Sequence, residues 1–243
     1  MVLLQYIRSF LFEAILYVFM AIYLILSVFF MIFCSESFRF RILYGLSYSI
    51  LFFLKKIVKI DYQIEGYSNL EQIFKQGPFL IASKHQSAWE TVAFPFLLRH
   101  NFTIILKKEL KYIPFFGFFL HRLKMIFIDR QANRKSVRNM LIQARQAVQC
   151  GKSVLIFPEG TRVLPKEHKA YQSGVGLLYN DLNIPVIPVA LNSGLFWERR
   201  SFFKKSGCII IKFLPPIFPG LKREEFMLQL ENSIQTACKN LNS

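Results

Sequence analysis

The chain has 243 residues, 53% of them hydrophobic and 16% aromatic, with 27 Phe and a formal net charge of +16. That length holds one sizeable domain with an appendage, and the apolar content excludes a disordered chain and exceeds that of an ordinary soluble domain. So positive a charge points to nucleic acid or anionic lipid headgroups, with a solvated, solubilising surface as the bland alternative. The basicity is not a tail, because residues 61–243 keep 25 Lys and Arg against 13 Asp and Glu. Cysteines at 34, 150, 208 and 238 form no Cys-x-x-Cys pair and no zinc-ligand spacing. They read as free thiols in a reducing compartment.

From Ala14 to Phe33 the chain runs 20 residues without a charge, long enough to span a bilayer as a helix. The run is too long for a signal peptide, has only Arg8 as a basic flank, and is followed by no small-x-small cleavage site. Hydrophobic all round, it reads as a membrane helix, with a buried core helix of a soluble protein as the competing reading. A second apolar run, Ile42–Leu54, has the length of a re-entrant or interfacial helix. Arg39 and Arg41 precede it and Lys55, Lys56 and Lys59 follow. Cations on both flanks favour placing both ends on one, cytoplasmic, leaflet. The expected division is a membrane-embedded helical segment over residues 1–57 and an α/β domain over residues 58–243.

Beyond residue 60, short apolar runs bounded by turn residues predict strands at Lys59–Glu65, Phe79–Ser83, Thr103–Leu106, Met125–Ile128, Val154–Phe157, Pro185–Leu191 and Cys208–Phe213. Helical stretches are predicted at Trp89–Leu98, Arg134–Cys150, Tyr171–Asn180 and Arg223–Lys239. The alternation predicts an α/β fold, a mostly parallel central sheet flanked by helices, with the apolar N-terminal hairpin attached. In such sheets functional groups gather at the C-terminal ends of strands.

Three such ends carry chemistry. At FLIASKHQSAWET, His85 follows an apolar strand and Glu90 comes five residues later. An imidazole can take a proton near neutral pH, and a carboxylate on its other nitrogen fixes the tautomer. On spacing alone, the ordinary reading of a strand-end His and a solvated helix-start Glu competes with this. At SVLIFPEGTR, Gly160 permits a tight turn able to aim backbone N–H groups at an anion, and Arg162 offers a planar donor fork for phosphate. At MIFIDR, Arg130 is a second phosphate donor or a structural partner, while Asp129 reads as structural. No metal-ligand cluster is visible, and no Gly-x-Ser-x-Gly elbow of a serine hydrolase accompanies Ser87.

Taken together, KHQSAWE, FIDR, FPEGTR and the Ile187-Pro188-Val189 strand resemble the glycerolipid acyltransferases, in particular the lysophosphatidic acid acyltransferases. KKELKYIPFFG (residues 107–117) resembles the segment between the family's first two blocks, and the likeness covers roughly residues 60–215. Two departures stand out: Glu90 occupies the place of the family's Asp, and Gln172 or Ser173 stands where a Lys is frequent, with Lys169 as a substitute. The resemblance implies acyl transfer from acyl-CoA or acyl-carrier protein to the 2-hydroxyl of 1-acyl-glycerol 3-phosphate, forming phosphatidic acid. His85 and Glu90 would be catalytic, and Glu159, Gly160, Thr161, Arg162 and Arg130 would hold the phosphate and glycerol, with no metal and no further cofactor. Glu159 is open between a glycerol contact and orienting Arg162. The expected partners are a lysophospholipid, the acyl carrier and an anionic membrane surface, not nucleic acid. The catalytic domain would face the cytoplasm, at the inner membrane if the chain is bacterial. A lyso-aminolipid acceptor and a non-enzymatic basic membrane-surface adaptor are the alternatives. IPFFGFFL (residues 113–120) reads as acyl groove, bilayer contact or core.

Overall fold

The computed structural model describes residues 2–98, 101–129 and 134–242. Two helices open the chain, α1 (Val2–Phe33) and α2 (Glu36–Phe53). Ser35 caps α2 by accepting from the Phe38 N–H at 3.4 Å, which satisfies one of the otherwise orphan donors of a helix start. A π-helical turn (Leu54–Val58) and Lys59, at φ 65°, then swing the chain into the sheet. The body alternates β1 (Ile60–Glu65), α3 (Tyr67–Phe74), β2 (Leu80–Ser83), α4 (Trp89–Leu98), β3 (Phe102–Lys107), α5 (Phe116–Arg122), β4 (Ile126–Ile128), α6 (Arg134–Gln149), β5 (Ser153–Ile156), α7 (Ser173–Leu182), β6 (Val186–Leu191), β7 (Gly207–Phe213) and α8 (Arg223–Asn242). The seven strands lie in the order β1-β7-β6-β2-β5-β3-β4, parallel throughout except for the antiparallel β6–β7 pair.

The predicted strands fall on all seven observed ones, within one or two residues at either end. Two short helices were not expected. Helix α3 connects β1 to β2, and α5 is built from the Phe-rich run. Gly117 is required in α5, because a Cβ there would stand 2.0 Å from the Lys111 carbonyl oxygen. Phe119 and Leu120 go into the core, whereas Ile113, Phe115 and Phe118 stay exposed. The run therefore serves two purposes.

The central strands are buried on both faces, which is why they read as continuous apolar runs. Side-chain alternation splits them between two cores. Ile81, Leu155, Ile187 and Val189 pack with α1, α2, α4 and α5, while Leu80, Ala82, Val154 and Val186 pack with α6, α7 and α8. Strand β2 lies between β5 and β6, so the loop leaving its C-terminal end has a neighbouring strand on each side.

Helix α1 begins twelve residues before the uncharged run. Its early polar residues Gln5, Ser9 and Glu13 point to the body, which conceals the helix from a search for charge-free sequence. Gln5 Nε2 donates to the Lys204 carbonyl at 2.8 Å, the Lys204 N–H donates to Ser9 Oγ at 3.0 Å, and Lys204 Nζ pairs with Glu13. That ammonium is fully buried, 5.4 Å from the centre of the Phe12 ring and 5.1 Å from that of Trp197. At the other end of α1, Arg122 Nε and Nη2 donate to the carbonyls of Met31 and Ile32 at 2.8 and 3.0 Å. The helix is thus tied to the body at both ends. Phe10, Val18, Ile25, Phe29 and Phe33 project away from it, and α1 is long and apolar enough to cross a membrane.

Candidate active site

Strand β2 carries the chain to Ser83, and the next five residues make a tight loop into α4. The loop closes on a side chain of the helix that follows it. Glu90, wholly buried near the start of α4, accepts from the Gln86 N–H at 3.1 Å and from the Ser87 N–H at 3.1 and 3.0 Å. Ser87 Oγ accepts from the Trp89 N–H at 3.1 Å. The carboxylate thus reaches back from the first turn of α4 to tie down the N–H groups of the preceding loop, as in a capping box. This folding-back brings His85 alongside, with Nδ1 3.4 Å from Glu90 Oε2. The two atoms are close, but the geometry is not that of a made hydrogen bond. The imidazole stacks on Phe157, ring centres 4.0 Å apart and 18° from parallel, and the residue is 8% exposed. With Nδ1 turned to Glu90, Nε2 is the nitrogen on the opposite side of the ring.

Both neighbouring strands support this pair. From the β6 side, buried Ser193 donates its hydroxyl to Glu90 Oε1, and the Gly194 N–H donates to Gln86 Oε1 at 3.0 Å. From the β5 side, the turn over residues 157–163 grips the His85 backbone. Glu159 Oε2 accepts from the His85 N–H at 3.1 Å, and the Val163 N–H donates to the His85 carbonyl at 2.8 Å. The other Glu159 oxygen pairs with Lys84, and both side chains are buried. Burial pushes the Glu159 carboxyl above its ordinary range, against the pull of the Lys84 ammonium.

Gly160 adopts φ 68°, the left-handed conformation that a glycine tolerates and that lets the turn reverse. Thr161 and Arg162 follow on the rim of a cavity of about 380 Å³, shared with Lys169 and Arg199. Arg199 Nη1 donates to the Arg162 carbonyl at 2.7 Å. Burial lowers the Arg162 guanidinium from its ordinary value; the charge of Glu90 opposes that shift, and Arg199 adds to it. Arg162 therefore lies within the electrostatic reach of both Glu90 and a second guanidinium. Even so, it stays charged near neutral pH.

His85, Glu90, Glu159, Gly160, Thr161 and Arg162 are thus gathered at the C-terminal edge of β2 and β5. Arg130 lies outside the described residues. Its neighbour Asp129 pairs with Lys108, and its N–H donates to Ser136 Oγ at 3.1 Å. Lys84, Gln86, Ser193 and Arg199 were not anticipated. Ser193 lies 103 positions from the carboxylate it touches, and no local pattern announces such a contact. Lys84 stood in plain view beside His85. Among the described residues, no group of three or more His, Cys, Asp or Glu is placed to hold a metal ion, and the four cysteines are free.

The fold and this edge define an α/β protein with a histidine–carboxylate pair beside a cationic cavity. The chain belongs to the acyltransferase family, whose model matches residues 63–192. It is similar to a 1-acyl-sn-glycerol-3-phosphate acyltransferase of Pseudomonas aeruginosa, 35% identical over 162 residues, which cover 65% of this chain and 60% of that protein. It is also similar to one of Saccharomyces cerevisiae, 26% identical over 168 residues, covering 68% of this chain and 54% of that one. The chain thus aligns with less than two thirds of the length of these relatives. Its fold matches the crystal structure of the 1-acyl-sn-glycerophosphate (LPA) acyltransferase PlsC from Thermotoga maritima, with a TM-score of 0.78 at 20% identity over 98% of both chains.

Proposed function

We propose that the protein transfers a fatty acyl group from a thioester, acyl-CoA or acyl-carrier protein, to the 2-hydroxyl of 1-acyl-glycerol 3-phosphate. The observation that carries this reading is the His85 imidazole, fixed between Glu90 and Phe157, with a two-arginine cavity nearby. His85 Nε2 takes the proton of the hydroxyl as its oxygen attacks the thioester carbonyl. The C–O bond forms, the C–S bond breaks, and the proton passes from His85 to the leaving thiolate. Glu90 holds the ring in the required tautomer and offsets the charge of the imidazolium. Arg162 and the turn over residues 159–161 receive the acceptor phosphate, with Arg130 as a further donor. Glu159 acts through the His85 backbone and Lys84, not by touching glycerol. Holding both substrates removes much of the entropy cost of their encounter.

The lipid acceptor gives the N-terminal helices a purpose. Residues 1–57 form the membrane-embedded part and residues 58–243 the α/β domain, with the catalytic edge on the cytoplasmic side. The outward apolar side chains of α1, and its ties to the body at both ends, support a helix held along the domain at the interface.

An acceptor panel tests the phosphate reading. Lysophosphatidate should be acylated in strong preference to lyso-aminolipids, and Arg162→Ala should raise its KM by about tenfold or more, the loss expected for a charged hydrogen bond. Equal rates on lyso-aminolipids, with Arg162→Ala silent, would assign the site a different acceptor. Ser193 supplies a second test. Removing its charge-assisted bond to Glu90 in Ser193→Ala should lower kcat by about tenfold with little change in KM. Ser193→Thr, which keeps the hydroxyl, should restore most of the rate. An unchanged kcat in Ser193→Ala would show that the backbone N–H groups suffice to hold Glu90.

A further inference from the structure

On the opposite edge of the sheet from His85, where β4 begins, a groove of about 840 Å³ runs between the start of α2, the end of α5 and the end of α6. Arg39, Lys111, His121, Arg122, Lys124 and Lys152 line it. Glu36 answers two of these charges, pairing with Lys152 and, at 2.6 Å, with Lys124. Arg39 Nη1 donates to the Arg122 carbonyl at 3.4 Å, while its Nε is buried without a hydrogen-bond partner. The groove therefore holds more positive charge than its own carboxylate neutralises.

An exposed aromatic cluster lies at the neighbouring end of α1. Phe29 stands 5.7 Å from Phe30 and 5.3 Å from Phe33, and Phe30 stands 6.4 Å from Phe38, ring centre to ring centre. Phe33 is 74% exposed. Arg122 joins the two features, because its guanidinium binds the α1 carbonyls of Met31 and Ile32 while it lines the groove. A soluble acidic partner gives no reason for uncovered rings beside a basic groove. An anionic phospholipid does, with acyl chains for the rings and a phosphate for the cations.

We propose that this groove, at edge strand β4 and three strands from β2, is a binding site for the headgroup of an anionic phospholipid that is not a substrate. It gives the protein a preference for negatively charged membrane over neutral membrane. The inference rests on the membrane reading of α1 and α2, and its test separates the two. The full chain is floated with vesicles of phosphatidylcholine, and of phosphatidylcholine with phosphatidylglycerol. The ratio of the two bound fractions cancels the contribution of α1. Lys111→Glu with Arg39→Gln is compared with Lys166→Glu and Lys239→Gln, an equal charge change at exposed positions outside the groove. Each cation near an anionic surface is worth roughly fivefold in partitioning. The groove variant should therefore lose about tenfold or more of the preference, and the control variant should keep nearly all of it. Equal losses in both variants, or no loss in the groove variant, would overturn the site. Wild-type binding to phosphatidylcholine without a preference for phosphatidylglycerol would overturn it alone, and no binding to either vesicle would overturn the membrane reading as well.

Discussion

Replacing His85 with Ala should lower turnover by about 10²–10⁴, the usual contribution of a positioned general base, while leaving the fold intact. The two expectations have separate physical grounds. The backbone bonds that hold residue 85, from its N–H to Glu159 and to its carbonyl from Val163, do not involve the imidazole. The Glu90 carboxylate keeps its three bonds from the Gln86 and Ser87 N–H groups and its bond from Ser193. What the variant loses is the stack on Phe157 and the proton acceptor itself. Glu90 is a different kind of position. Glu90→Gln places an NH₂ group against backbone donors that now meet oxygen, so it should harm stability and rate together. Glu90→Asp retains the charge on a shorter arm and should keep more activity than Glu90→Gln. Turnover rates and unfolding midpoints of all three variants check this ordering.

The second large effect should fall on stability. Lys84 and Glu159 form an ion pair with both side chains buried. Removing one partner leaves the other charged and desolvated, at a cost of about 3–5 kcal/mol. Glu159→Ala should therefore sharply lower the denaturant midpoint. Replacing both partners with apolar residues of similar size, Lys84→Met with Glu159→Leu, should recover most of that loss, because the desolvation of two charges disappears with them. Activity should not recover in parallel, since the His85 N–H would still lack its acceptor. Stability and rate moving back together in the double variant would show that Glu159 has no part in positioning His85.

How much of this was legible in the sequence depends on the range over which each feature is encoded. The strands are local: a buried strand of a parallel sheet is an apolar run between turn residues, and Leu80–Ser83 and Val186–Leu191 could be read directly. The order of the strands is not local. That β2 lies between β5 and β6, and that β7 runs antiparallel to β6, is set by packing across the chain. Helix α5 was hidden because a run such as PFFGFFL is apolar in any conformation, and its glycine announces a break where the structure instead has a close backbone approach at Lys111. The start of α1 was hidden by Ser9 and Glu13, polar residues that face the protein and not the solvent. His85 and Glu90 were legible as a pair because five residues and one tight loop connect them. Ser193 was not, since only the folded sheet carries it to Glu90. Glu159 shows the remaining limit. Its type and position were plain, yet its partners are Lys84 and a backbone N–H, and the sequence alone left its role open.

The most direct test follows free thiol when the purified full chain is mixed with acyl-CoA and lysophosphatidate. The thiol should appear only when both are present, in step with phosphatidate, and should fall by about 10²–10⁴ in His85→Ala. Thiol release at the same rate without lysophosphatidate, or full activity in His85→Ala, would contradict acyl transfer through this histidine.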